Sequence, residues 1–357
     1  MFSDNPMSTH ASVEEYPYIV PTHVVFEITE NCNLNCVHCY RIKDKKPLYL
    51  KFNAFRKILN FLISRGLIGI EITGGEPTLH SNFLDIVEYA AKNVSMVGIL
   101  TNGAYLPPET IERLEPYKEK IFFSISLDSY DPNYHDRFRG LPGAWKRTVS
   151  NIKRLTSAGY QVRIAMTVTP NNIDHIEKTA ELAINLGAKM FTYSPMLPFG
   201  RANGITWSNA DLWKLSEIDK RVREKFKSII PVVKIEEFGG TIENCGAGWR
   251  SVTIGPDMIL RMCVISDSTR DSFVRIDPNN VESAFIEALD GMTFFYTLRA
   301  PGHDVCGDCK FLNFCSPCIL RARYVLEKGF IHPSQCKWAQ EVGMENLKKC
   351  LKVRIDE

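Results

Sequence analysis

Everything else in the chain takes its bearings from one segment, Val24-Val25-Phe26-Glu27-Ile28-Thr29-Glu30-Asn31-Cys32-Asn33-Leu34-Asn35-Cys36-Val37-His38-Cys39. Val24, Val25, Phe26 and Ile28 form a short β-branched and apolar run that predicts a strand. Cys32, Cys36 and Cys39 follow it in the spacing C-x3-C-x2-C. A [4Fe–4S] cluster ordinarily takes four thiolates, so a loop that offers three leaves one iron open to bind something else. A zinc loop, or a chance grouping in a cysteine-rich chain, is the competing reading of the same three residues.

Outward from this segment, as far as Met196, short apolar runs alternate with helical patterns about a dozen residues long, the signature of successive βα units on a parallel sheet. Strands are predicted at residues 24–29, 69–73, 96–101, 121–127, 162–168 and 190–194. Phe55, Ile58, Leu59, Leu62 and Ile63 make one apolar helix face. Trp145, Val149, Ile152 and Leu155 make another, closed by Gly159. Six units fall short of the eight in a closed barrel, so the expected fold is α/β, a partial (β/α)6 TIM-like barrel with its active face at the loops after the strands. The distinctive motifs stand at those loops. The cysteines follow the first strand, Gly74-Gly75-Glu76-Pro77 the second and Thr101-Asn102-Gly103 the third, while Ser126 and Asp128 end the fourth.

The 357 residues carry a formal net charge of +2 and 24% charged side chains, which gives no global field to attract nucleic acid or a membrane surface. No run of 18 apolar residues is present, and residues 1–21 show neither a basic nor an apolar signal region. A cytoplasmic setting is expected, where thiols stay reduced, and eleven cysteines then point to metal or clusters rather than disulfides. They fall into two groups, three at Cys32–Cys39 and eight from Cys245 to Cys350.

The cysteine spacing together with the Gly-Gly-Glu-Pro loop resembles the radical S-adenosylmethionine (SAM) superfamily. The resemblance implies that Cys32, Cys36 and Cys39 ligate a [4Fe–4S] cluster whose open iron is chelated by SAM, and that an electron from the cluster cleaves SAM to a 5′-deoxyadenosyl radical. It implies that Gly74, Gly75, Glu76 and Pro77 receive the SAM amino group, that His38 lies near the adenine, and that Ser126 and Asp128 reach the ribose or carboxylate. Asn102, Val168 and Met196 are assigned to the same cofactor by their position at strand ends. Phe199-Gly200-Arg201-Ala202 is similar to a segment after the sixth strand of peptide-modifying and haem-pathway members. Arg201 would there touch SAM or substrate, or be the solvated cation of a turn. Arg137 and Arg139, beside His135 and Asp136, are read as a solvated loop that could meet an acidic substrate.

The second cysteine group resembles the SPASM extension, which carries auxiliary clusters. By that likeness Cys306, Cys309, Cys315 and Cys336 bind an outer cluster, and Cys245, Cys263 and Cys318 one nearer the barrel. Two C-x2-C pairs also suit tetrahedral zinc. Cys315-Ser316-Pro317-Cys318 is one residue shorter than the usual spacing, and Met258 stands where a glycine is expected. With three cysteines left, the inner cluster is open, takes a non-cysteine ligand, or is absent. Cys350 reads as a structural thiol beside Leu347 and Leu351.

The expected division is an N-terminal extension at 1–20, the partial barrel at 21–205, a bridging helix at 206–237 and a small α+β SPASM domain at 238–357. The function implied is modification of a ribosomally synthesised precursor peptide, by crosslinking or side-chain oxidation. A separate leader-binding protein and an electron donor such as flavodoxin or ferredoxin would serve it, with no nucleic acid and no membrane. The competing functions are a haem-pathway decarboxylase, a formylglycine-forming dehydrogenase, and a non-catalytic iron–sulfur or zinc redox carrier.

Overall fold

The computed structural model describes residues 17–40, 46–198, 200–234, 244–266 and 272–351. The chain runs β1 (His23–Glu27), α1 (Phe52–Ile63), β2 (Gly69–Thr73), α2 (Phe83–Asn93), β3 (Met96–Thr101), α3 (Thr110–Leu114), β4 (Ile121–Ser126), α4 (Pro132–Arg139), α5 (Ala144–Ser157), β5 (Gln161–Val168), α6 (Ile176–Asn185) and β6 (Met190–Pro195). It continues through α7 (Asn209–Phe226), β7 (Val232–Lys234), β8 (Ser251–Ile254), β9 (Ile259–Arg261) and β10 (Ser272–Arg275). Short helices close it: α8 (Val281–Glu287), α9 (Leu289–Thr297), α10 (His303–Cys306), α11 (Leu312–Cys315), α12 (Ile319–Glu327), α13 (Lys337–Val342) and α14 (Met344–Leu351).

The six expected strands pair in parallel from β1 through β6, and helices cover their outer face as the 3.6-residue pattern requires. Phe55, Ile58, Leu59 and Leu62 of α1, with Ile152 and Leu155 of α5, are buried against the strands. Phe199 of the segment after β6 lies outside the described residues, as do residues 1–16 of the N-terminal stretch. So does the boundary expected at 238.

The sheet does not stop at six strands. β7 adds in parallel to β6, so the stretch expected as a bridging helix also holds a strand, and β8 adds in parallel to β1. β9 and β10 then pair antiparallel, giving one sheet of ten described strands in the order β10-β9-β8-β1-β2-β3-β4-β5-β6-β7. Val232–Lys234 is too short for its period to announce a strand. Residues 281–297 form two helices in succession, α8 ending at Glu287 and α9 starting at Leu289. Met258 adopts φ 65° in the turn between β8 and β9, the left-handed conformation that explains why a glycine suits this position.

Arg137 and Arg139 lie on a helix rather than in a loop. Asp131 caps α4 by accepting from the Asn133 N–H at 2.9 Å, Pro132 occupies its first turn and Gly140 ends it at φ 67°. Arg137 is exposed, whereas Arg139 is buried, contrary to the solvated reading. Among the described residues no helix is long and apolar enough to cross a membrane.

A candidate cofactor site at the strand ends

A cavity of about 300 Å³ opens where the ends of β1 to β6 converge. Cys32, Cys36 and Cys39 line it with Gly74, Gly75, Asn102, Ser126 and Met196, so the strand-end loops gather most of the expected residues at one place. His38 lines it too, stacked on Phe138 with centroids 4.1 Å apart. Burial, with the Arg139 charge nearby, holds the His38 imidazole down to about 3, so the ring is neutral.

Two of the three sulfurs are met by donors. Leu34 N–H points to Cys32 Sγ at 3.4 Å, Asn102 Nδ2 stands 3.9 Å from the same atom, and Arg139 Nη1 stands 3.8 Å from Cys36 Sγ. Burial pushes the Cys36 thiol up, with Arg139 opposing. A buried sulfur of this kind ionises when a metal supplies positive charge. Three soft donors, N–H groups aimed at them and a glycine-lined wall fit a thiolate-held cluster with a small ligand beside it.

The glycines matter sterically. A Cβ on Gly75 would lie 2.3 Å from the Asn31 carbonyl oxygen and 2.5 Å from that of Glu30, so only glycine lets this loop pack against the backbone that leads into Cys32. Gly75 N–H donates to Thr29 O at 2.6 Å and Glu76 N–H to Asn31 O at 2.7 Å, fixing the two loops to each other.

Four of the expected residues are not among those that line the cavity. Glu76 and Pro77 are buried away from the cavity wall. The Glu76 carboxylate accepts from Thr78 N–H and Oγ1, from Thr101 Oγ1 at 2.6 Å and from Asn102 N–H at 2.8 Å, so it staples the loops after β2 and β3. Val168 follows Thr167, which faces the cavity, and strand alternation turns Val168 to the helical side. Asp128 is fully buried behind Arg139, accepting from Arg139 Nε at 2.5 Å and Thr167 N–H at 2.9 Å. Burial alone would raise the Asp128 carboxyl, but the charge and hydrogen bond of Arg139, with His38 and His135, together outweigh it and keep Asp128 below the usual carboxylate range.

Arg139, expected as a solvated cation, lines the cavity instead, brought in by the turn of α4 and its partner Asp128. Among the lining residues that carried no sequence signal as a site are Val264 and Ile265, the two residues after Cys263, which bring the C-terminal segment to the cavity. Arg261 reinforces that approach by pairing with the buried Glu27 of β1, which also accepts from Tyr40 OH at 2.9 Å.

A second, smaller cavity is lined by Cys306, Cys309, Cys315 and Cys336 among Pro301, Phe311, Leu312, Ala322, Val325, Ile331 and Trp338. Four thiols in an otherwise apolar box are the donor set of a cluster or of zinc. Among the described residues no three His, Cys, Asp or Glu side chains close around a single ion point, so these thiols frame a space. Burial pushes the Cys315 thiol well up, and the other three thiols add to it. Cys318 donates its N–H to Cys315 O at 2.6 Å, and Cys245 lies near Arg250. The Cys350 side chain lies outside the described residues.

The Radical SAM superfamily model matches residues 26–183. The chain is 34% identical over 347 residues to the antilisterial bacteriocin subtilosin biosynthesis protein AlbA of Bacillus subtilis (strain 168), an overlap of 95% of this chain and 75% of that one. It is 28% identical over 322 residues to the AdoMet-dependent heme synthase of Methanosarcina barkeri (strain Fusaro / DSM 804), 85% of this chain and 92% of the other. In fold it is similar to Streptococcus suis SuiB bound to precursor peptide SuiA, with a TM-score of 0.65 at 17% identity over 85% of this chain and 73% of that chain.

Proposed function

Because the chain belongs to the radical SAM superfamily, as an enzyme with a SPASM-type cysteine extension, we propose that it modifies a ribosomally made precursor peptide by a crosslink or a side-chain oxidation. The observation that carries this reading is the 34% identity to a bacteriocin biosynthesis protein along 95% of the chain, both cysteine groups included. Members of the superfamily use a [4Fe–4S] cluster and SAM, and the bound pair supplies a one-electron cleavage whose product abstracts a substrate hydrogen.

In this proposal Cys32, Cys36 and Cys39 hold the SAM-binding cluster. Gly74 and Gly75 offer backbone to the amino end, and Arg139, with Ser126 and Asn102, offers polar contacts to the rest of SAM. His38, neutral and stacked on Phe138, and Met196 provide apolar surface for the adenine. Leu34, Leu100, Leu197, Val264 and Ile265 keep the cavity apolar elsewhere and exclude water from a reactive intermediate. Cys306, Cys309, Cys315 and Cys336 hold an outer cluster, and Cys245, Cys263 and Cys318 contribute to an inner one. A cluster held by these thiols would supply an acceptor for the electron released when product forms. A cytoplasmic setting keeps these thiols reduced. A flavodoxin or ferredoxin supplies the first electron, and a separate leader-binding protein presents the peptide.

The test is to search the neighbouring genes for a small precursor peptide, incubate any such peptide with anaerobically reconstituted protein, SAM and dithionite, and measure its mass. Loss of two hydrogens with matching 5′-deoxyadenosine is expected. Deoxyadenosine with an unchanged peptide would overturn the substrate assignment. The heme synthase relative favours one second reading, decarboxylation of a tetrapyrrole propionate, which carbon dioxide release from that substrate would reveal.

A further inference from the structure

Arg201 is held in the cavity wall by its backbone. Gly200 has φ 58°, and a Cβ there would lie 2.2 Å from Tyr40 O and 2.8 Å from Cys39 O, so the chain after β6 lies directly on the cysteine loop. Arg201 N–H then donates to Cys39 O at 2.9 Å. The side chain lines the cavity, and its Nη1 donates to Asn35 Oδ1. Its Nε and Nη2 are shielded from solvent and have no acceptor among the described residues.

Other arginines of the fold have carboxylate, hydroxyl or carbonyl partners, although among the described residues Arg261 Nε is also shielded without an acceptor. Arg139 pairs with Asp128, Arg261 with Glu27 and Arg163 with Glu71. Arg321 donates to Ser194 Oγ and Pro195 O. Among the described residues Arg201 has no carboxylate partner, and the one acidic residue in the cavity wall, Glu30, accepts from Leu48 N–H. Shielded donors without acceptors are costly, and a guanidinium whose Nε–Nη2 edge is open has the geometry that a carboxylate matches with two parallel bonds.

We propose that the Nε–Nη2 edge of Arg201 is a carboxylate receptor in the reaction cavity. The carboxylate is that of SAM's methionyl end or that of an acidic side chain or carboxyl terminus of the substrate. The assignment rests on this cavity being the reaction site, and one arm of its test needs no peptide.

The full chain, reconstituted anaerobically, is compared as wild type, Arg201→Lys and Arg201→Met. In the first arm, equilibrium binding of SAM is measured against decarboxylated SAM. If the receptor serves SAM, the wild-type preference for the carboxylated form falls at least about tenfold in Arg201→Met and is partly kept in Arg201→Lys. In the second arm, SAM-loaded protein is titrated with N-acetylglutamate amide and N-acetylglutamine amide. If the receptor serves substrate, the SAM preference is unchanged and selectivity for the glutamate probe disappears in Arg201→Met. Retention of both selectivities in Arg201→Met overturns the proposal, as does a wild type that discriminates in neither arm. Asn35→Ala removes the Nη1 contact alone, and if it reproduces both losses Arg201 merely buttresses the loop and the proposal fails. Failure of the peptide reading would instead appear as an unmodified peptide with the SAM arm intact.

Discussion

Arg139 Nε lies 2.5 Å from Asp128 Oδ2, while Nη1 of the same guanidinium lies 3.8 Å from Cys36 Sγ. One buried carboxylate thus fixes the cation that faces a cysteine of the first loop, and the pair ties the end of β4 to the end of α4. A buried charge of this kind is tolerated because its partner is at hand, and removing one member costs more than removing both.

Asp128→Ala is therefore expected to lower unfolding free energy by about 3–5 kcal/mol, since Arg139 is left buried and unpaired. The double variant Asp128→Ala/Arg139→Met should recover part of that loss. Urea unfolding of the metal-free chain measures both, and a double variant no more stable than the single one would contradict the account.

Gly75→Ala is expected to lower SAM affinity at least tenfold, an order of magnitude that corresponds to about 1.4 kcal/mol. Its Cβ would collide with the Asn31 and Glu30 carbonyl oxygens and push the glycine loop off the cysteine loop. Gly204→Ala, where a Cβ meets nothing within 4 Å, is the matched control, and equal losses in both would refute the steric argument.

The two cysteine sets should separate in iron content and in chemistry. Changing Cys32, Cys36 and Cys39 together to Ala is expected to remove about four irons per chain and all 5′-deoxyadenosine formation. Changing Cys306 and Cys309 should remove a similar amount of iron, spare SAM cleavage and stop product formation. Iron and sulfide analysis beside a cleavage assay decides it.

A pH dependence follows from His135, whose Nδ1 accepts from the Asp128 N–H at 3.2 Å and is therefore unprotonated. Burial holds its imidazole down to about 4, against the pull of Asp128. The unfolded chain takes up this proton near the ordinary value of about 6.5, so stability is full above that pH and falls as pH drops from about 6.5 towards 4. The contribution is on the order of 3 kcal/mol. His135→Asn should flatten that part of a pH–stability curve, and a slope unchanged from wild type would exclude His135 as its source. Because burial also holds His38 down, to about 3, a residual slope is expected in the variant.

The strands of the partial barrel were legible because each is a β-branched or apolar run set off by a helical period, and their observed ends differ from the expected ones by two residues or fewer. The loops that line the main cavity were legible for a related reason: glycine, cysteine and asparagine placed directly after a strand have few purely structural uses together. Val232–Lys234 and Ser272–Arg275 were not legible, since three or four residues carry no measurable period. Arg139 read as a solvated cation because charge alone does not announce burial; Asp128, eleven residues earlier, is what makes burial tolerable.

The sequence by itself determined the alternating architecture, the two cysteine groups and the strand ends at which chemistry-bearing residues would meet. Those depend on local periodicity and spacing, which are written in neighbouring residues. Only the tertiary structure decided that Glu76 and Asp128 turn inward to hold the loops, that Arg139 and Arg201 face the cavity, and that Val264 and Ile265 complete its wall. These outcomes depend on which distant group satisfies a buried charge or donor, and a partner 234 residues away, as for Glu27 and Arg261, leaves no mark in any local pattern.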